Sequence, residues 1–207
     1  MIGVDRKILT SILARRLQNK LTTWIGEDQR GFVKGRSIKE STAWVQAVVE
    51  SARVEGRKGR LIFLDQEKAY DRVGWGYLMA VMEKLGMEEE LQRRFFGMLA
   101  SSKCCVAVNN WRGEEFWVGR GTPQGDPLSP NLYILAIEPL VDALRHQLCG
   151  VVVGPTTWKI GAFVDDLVVG VADAEDCGKL QRIVEKFDEI SDKRMNWHKC
   201  KILGIDK

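Results

Sequence analysis

Three aspartates are the residues in this chain best suited to chemistry. Asp165 and Asp166 are adjacent, and Asp65 lies a hundred residues earlier. The pair sits in Phe163-Val164-Asp165-Asp166, between Ile160-Gly161-Ala162 and Leu167-Val168-Val169-Gly170-Val171. Apolar and β-branched flanks predict a buried hairpin with the acids at or near its turn. Two like charges held together in such a place are costly unless something positive binds there. Hard divalent cations favour carboxylate oxygens and answer that need. Asp65 ends the run Arg60-Leu61-Ile62-Phe63-Leu64. That run predicts a central strand with a carboxylate at its C-terminal end, where sheets present functional groups. Asp71, six residues on, reads as a cap for the next helix.

A second kind of signal lies in Gly119-Arg120-Gly121-Thr122-Pro123-Gln124-Gly125-Asp126-Pro127-Leu128-Ser129-Pro130. Glycine and proline at this density specify a tightly turned loop. Gly121 and Gly125 would let a ligand approach the backbone. Leu132, Leu135, Ala136, Pro139, Leu140, Ala143 and Leu144 then recur near helical spacing, with a start at Pro127 or Pro130.

The elements that must position these groups follow from the patterning. Residues 6–21 predict an amphipathic helix with Ile8, Leu9, Ile12, Leu13, Leu17 and Leu21 on one side. Residues 26–36 form a basic loop punctuated by glycine. Ser37-Ile38-Lys39-Glu40 has capping-box spacing and should open a helix to about Val54. Residues 74–85 and 88–100 predict two helices parted at Gly86. Residues 103–118 predict a hairpin turning at 109–113. Strands at 151–160 and 162–171, a helix at 174–192 and a last strand at 200–205 complete an α+β plan around one mainly antiparallel sheet. Trp44, Trp75, Trp111, Trp117, Trp158 and Trp197 read as core or rim packing.

The segments together resemble the palm of a reverse transcriptase, and more closely its non-LTR, LINE-like retrotransposon branch. The matching phrases are Leu64-Asp65-Gln66-Glu67-Lys68-Ala69-Tyr70-Asp71-Arg72-Val73, Gly121 to Pro130, and Phe163-Val164-Asp165-Asp166. Upstream, Lys7-Ile8-Leu9-Thr10, Ala14-Arg15-Arg16-Leu17 and Gln29 to Ile38 are similar to that branch's fingers. Met195-Asn196-Trp197-His198-Lys199-Cys200-Lys201 resembles its fourth palm motif. The resemblance runs from about residue 5 to residue 205. It implies partial fingers over 1–60 and a palm over 61–207, with the thumb missing. The branch's Arg-Pro-Ile-Ser stretch is also missing.

The resemblance implies an RNA-directed DNA polymerase that adds dNTPs to a DNA primer on an RNA template by two-metal catalysis. Asp65, Asp165 and Asp166 would hold two Mg²⁺ ions, with Mn²⁺ a possible substitute. Lys199 would act on the leaving pyrophosphate. Gln66, Lys68, Ala69, Tyr70, Gln124, Gly125 and Arg36 would bind the nucleotide, with Lys34 beside Arg36. The ring of Tyr70 would exclude a ribose 2′-hydroxyl. Two rival readings use the same residues: a catalytically inactive or domesticated palm that binds nucleic acid, and another two-metal enzyme such as a nucleotide cyclase. The Gly121–Gly125 loop and Tyr70 favour the polymerase.

Composition sets wider bounds. Of the 207 residues, 45% are hydrophobic and 29% charged, which suits a folded globular chain. No stretch approaches the 18 apolar residues of a membrane span, and no signal-peptide pattern opens the chain. Five cysteines without CxxC spacing predict reduced thiols and an intracellular site, cytoplasm or nucleus. Net charge is only +3, yet the first 36 residues carry a local excess of base that suits phosphate. Oligomeric state is not legible.

Overall fold

The computed structural model describes residues 3–205. Helix α1 (Val4–Trp24) is followed by α2 (Ile38–Glu55), strand β1 (Arg60–Leu64), α3 (Trp75–Lys84) and α4 (Glu89–Ala100). Four two-residue strands follow: β2 (Lys103–Cys104), β3 (Ala107–Val108), β4 (Trp111–Arg112) and β5 (Phe116–Trp117). Then come α5 (Ser129–Gln147), β6 (Val151–Val153), β7 (Thr156–Trp158), β8 (Ile160–Phe163), β9 (Asp166–Val171), α6 (Ala174–Ser191) and β10 (Lys201–Gly204).

The central sheet has the order β10-β1-β9-β8, and every pairing in it is antiparallel. The α+β expectation therefore holds. Strand β1 lies second from one edge, with Leu61 and Leu64 buried. One face of the sheet packs on α5, whose Leu132 to Ile137 are all fully or nearly fully buried. A helix apolar all round belongs in the middle of a layer. Leu13, Leu17 and Leu21 of α1 enter the same core as Leu64 and Val169.

Several local signals act as read. Ser37 caps α2 by accepting from Lys39 N–H, and Gly56 closes it in the left-handed region at φ 64°. Gly86 parts α3 from α4 at φ 73°. Others differ. Helix α1 buries Thr10, Leu13, Ala14, Leu17 and Leu21, while Ile8, Leu9 and Ile12 are exposed. The choice of face is made by α5. Asn131 of α5 donates through Nδ2 to the Ala14 carbonyl, a close approach that a small residue permits. The Thr10 hydroxyl is satisfied within the helix by Arg6 O at 2.9 Å. Asp71 is exposed and caps nothing; α3 starts at Trp75 behind Gly74, without a side-chain cap. The 103–118 segment is two nested ribbons turning at Asn109-Asn110, and Trp111 and Trp117 on it are 82% and 64% exposed. They are not core residues, and Trp44 and Trp197 are exposed as well. The expected strand at 151–160 is a separate small ribbon, β6 with β7, turning at Gly154.

Candidate active site

The sheet register brings the three aspartates together. Leu64, the last residue of β1, pairs with Leu167, so Asp65 leaves the strand at the level of Asp166, which opens β9. Phe163 of β8 pairs with Asp166, leaving Val164-Asp165 as a two-residue turn. Asp65 and Asp165 are half-buried and Asp166 is exposed. The Asp166 carboxyl is raised above the usual carboxylate range, by partial burial first and then by the negative charges of Asp165 and Asp65. Among the described residues none of the three forms an ion pair.

Three neighbouring carboxylates without an ion-pair partner suit hard divalent ions in their donor chemistry. Among the described residues, however, no three acidic, histidine or cysteine side chains close into a ready ligand set. Uncompensated like charges repel one another, and a complete shell needs oxygens from elsewhere. The residues thus fit a metal without being preassembled around one.

Tyr70 belongs to this site. Its ring stacks on Tyr133 of α5 at 4.7 Å between centroids and 24° between planes. Burial, and then the charge of Asp165, push its hydroxyl up to about 12. The glycine-rich loop is tied to the same segment. Thr122 N–H donates to Tyr70 O at 2.9 Å, and Gly121 N–H to Val73 O at 2.8 Å. At Gly121, φ is 86° and a Cβ would stand 2.7 Å from the Asp71 carbonyl, so glycine is required on two counts. Gln124 and Gly125 are exposed on this loop. Gln124 lines a cleft of about 970 Å³ with Lys68, Arg120, Arg6, Lys103 and Trp75. Asp65, Asp165 and Asp166 are not among its lining residues. Its cations suit phosphate groups.

The connection from α6 to β10 lies along Asp65. Asn196 N–H donates to Asp65 O at 2.8 Å, and Glu67 N–H to Arg194 O at 2.9 Å. These bonds place Gln66 opposite Met195 and leave the Gln66 carbonyl out of the pairing. The Gln66 side chain is buried beside the Tyr133 hydroxyl. Lys199 is exposed on this connection, just before β10. Lys68, exposed at φ 48°, and Ala69, buried, continue the turn from Gln66 towards Tyr70. Arg36 is committed elsewhere: its guanidinium donates to the carbonyls of Ile25, Gly26 and Gln29. Those bonds hold its own loop together. Lys34 is exposed on that loop.

Lys193 is a residue that sequence reasoning missed. It is 3% exposed, donates to Ala69 O at 2.9 Å, and lies 4.2 Å above the Tyr133 ring. Burial drags its ammonium down to about 7, against the opposing pull of Asp165 and Asp188. Nothing in Asp192-Lys193-Arg194 signals this, since a charged run ordinarily reads as solvated.

A model of the reverse transcriptase (RNA-dependent DNA polymerase) family matches residues 1–205. This chain belongs to the reverse transcriptase family. It is 32% identical over 201 residues to a Transposon TX1 protein of 149 kDa from Xenopus laevis, covering 96% of this chain and 15% of that protein. It is 29% identical over 200 residues to the Pol polyprotein of the type-2 retrotransposable element R2DM of Drosophila melanogaster, covering 95% of this chain and 18% of that one. Both relatives bear out the non-LTR retrotransposon branch. The chain thus spans less than a fifth of the length of these relatives. A solved telomerase from Candida tropicalis, in complex with a fragment of telomeric RNA, shares the fold with TM-score 0.68 and 11% identity, over 94% of this chain and 33% of that one. The likeness confirms a reverse transcriptase-like architecture.

Proposed function

We propose that this domain carries the polymerising centre of a retrotransposon reverse transcriptase, extending a DNA primer on an RNA template from dNTPs. The observation that carries the reading is the meeting of Asp65, Asp165 and Asp166 at one end of β1, β8 and β9, none of them in an ion pair among the described residues, beside Tyr70. Two Mg²⁺ ions bound there, or Mn²⁺ in their place, would supply charge neutralisation for the phosphoryl group and the leaving pyrophosphate.

The chain's own residues do the rest. Asp65, Asp165 and Asp166 hold the ions, and the free Gln66 carbonyl adds an oxygen. Tyr70, fixed by its stack on Tyr133, blocks a ribose 2′-hydroxyl by steric clash. Gln124 and Gly125 line the nucleotide from the loop bound to Tyr70. Lys68 and its neighbouring cations receive phosphates along the cleft. Lys199 protonates or neutralises the leaving pyrophosphate. Residues 1–60 act as partial fingers and 61–207 as the palm, at work in the cytoplasm or nucleus.

The test is primer extension on an RNA template by the full polypeptide that contains this chain. DNA synthesis dependent on dNTP and divalent metal is expected, and Asp165→Asn should abolish it. Synthesis that survives Asp165→Asn would overturn the assignment.

A further inference from the structure

The turn that carries Asp165 is unfavourable on local grounds. Val164 has φ 61°, in the left-handed region. A β-branched residue there is a true outlier, and costs about 1–2 kcal/mol. Such a conformation persists only where surrounding structure over-determines it. Glycine would remove the cost, but the chain has valine, whose side chain is 4% exposed. Something outside the hairpin must hold this backbone.

That something is Gln29. Its side chain is fully buried. Gln29 Oε1 accepts from Val164 N–H at 2.8 Å, while Nε2 donates to Val164 O at 3.2 Å. One amide therefore satisfies both backbone groups of the strained residue. Oε1 also accepts from Gly31 N–H at 2.9 Å. A Cβ at Gly31 would stand 2.5 Å from Val164 Cγ2 and 2.7 Å from Val164 N, so the loop presses directly on the turn.

The loop is itself anchored. Ala162 N–H donates to Asp28 O at 2.9 Å, and Arg30 N–H to Ala162 O at 2.8 Å, adding residues 28–30 to the edge of β8. Arg36 gathers the carbonyls of Ile25, Gly26 and Gln29 from one side. From α5, Glu138 accepts from Gly26 N–H and Arg145 pairs with Asp28.

We infer that Gln29 is a positioning residue for the reaction: it holds the Val164 backbone and so fixes where Asp165 presents its carboxylate. The inference rests on the polymerase reading of the site. It also gives the basic loop at 26–36 a role in shaping the metal-binding turn.

The test pairs a direct readout of the turn with kinetics. Gln29→Met keeps the volume and removes the hydrogen bonds; Gly31→Ala keeps the Gln29 amide but crowds it, since the new Cβ would meet Val164 Cγ2 at 2.5 Å and Gln29 Oε1 at 3.1 Å. Melting curves identify the variant that remains folded. In either folded variant, exchange of the Val164 amide hydrogen, read by NMR, should accelerate at least about tenfold, since its partner is lost or displaced. The Val169 and Ile62 amides in the sheet should keep their rates. For dNTP addition by the full polypeptide, kcat should fall about tenfold while KM changes less than about twofold, because the loss is of transition-state geometry and not of uniform binding. Unchanged Val164 exchange overturns the inference. So does faster exchange with unchanged kcat. A wild-type polypeptide that extends no primer, or is indifferent to Asp165→Asn, sinks the polymerase reading instead; the amide exchange then still decides whether Gln29 holds the turn.

Discussion

Two hairpin turns in this molecule place non-glycine residues at positive φ, and they do so by opposite means. In the exposed ribbon at 103–118, Asn109 and Asn110 stand at φ 48° and 67°. Asparagine tolerates the left-handed region, and a turn with both central residues there matches strand twist. No outside contact is needed. At the carboxylate end of the sheet, Val164 stands at φ 61° against its own preference and is held by a buried amide from 135 residues away. A turn that only closes a ribbon can rest on local propensity. A turn that must aim a carboxylate is fixed by tertiary contacts, which also block its relaxation.

The same contrast recurs in the two lysine–aromatic contacts. Lys103 lies 4.5 Å above Trp117 on the exposed ribbon, and Lys193 lies 4.2 Å above Tyr133 in the core. The buried one, Lys193, is forced far from its ordinary ionisation.

The strongest way to break the comparison is at the carboxylates. Asp65→Asn or Asp165→Asn should abolish primer extension, a loss of at least roughly 10³-fold, the scale of losing a group that stabilises transition-state charge. Deleting the tip of the ribbon, residues 107–112, should leave the rate per bound nucleotide intact. Equal losses from both, in single-turnover assays, would erase the distinction between the two turns.

A second test uses the ring beside Asp165. Tyr70→Val should raise the efficiency of rNTPs relative to dNTPs by about tenfold or more, the scale of one steric group in a pocket. An unchanged ratio of kcat/KM values would reduce Tyr70 to packing on Tyr133.

Stability should separate the turns next. Gln29→Met leaves the buried Val164 amide and carbonyl unsatisfied and should cost about 1–3 kcal/mol in denaturant unfolding. Asn110→Gly should change stability by no more than about 0.5 kcal/mol, as at most exposed sites. A Gln29→Met cost as small as that of Asn110→Gly would mean the clamp bears no load.

The last test is a pH dependence. Lys193 ionises at about 7 in the folded chain against an ordinary 10.5. Between those values the unfolded chain holds the proton and the folded chain does not. Stability should therefore rise with pH across that window, and protonation below about 7 should carry the full penalty. Lys193→Met should flatten the rise in melting temperature across that window.

How far the sequence spoke can be judged at particular residues. The run ending at Asp65, the Val164–Asp166 flanks and the glycine-rich loop each carried a local pattern, so the sheet, the acidic site and the loop before α5 were legible. The cap at Ser37 and the break at Gly86 were legible for the same reason. The buried face of α1 was not, because its apolar residues point to two sides and only contact with α5 selects one. Nor was the commitment of Arg36 to three carbonyls, since a basic residue in a basic loop carries no sign of its partner.

What the sequence determined by itself, then, is whatever depends on neighbours in the chain: strand and helix periods, caps, glycine breaks, and three carboxylates placed at strand ends. What only the tertiary structure decided is whatever depends on residues far apart: which face of α1 is buried, how Lys193 comes to lie over Tyr133, and how Gln29 holds Val164. Local preference opposed the last two, a buried lysine and a left-handed valine. Both persist because long-range contacts supply hydrogen bonds and packing that no local segment can provide.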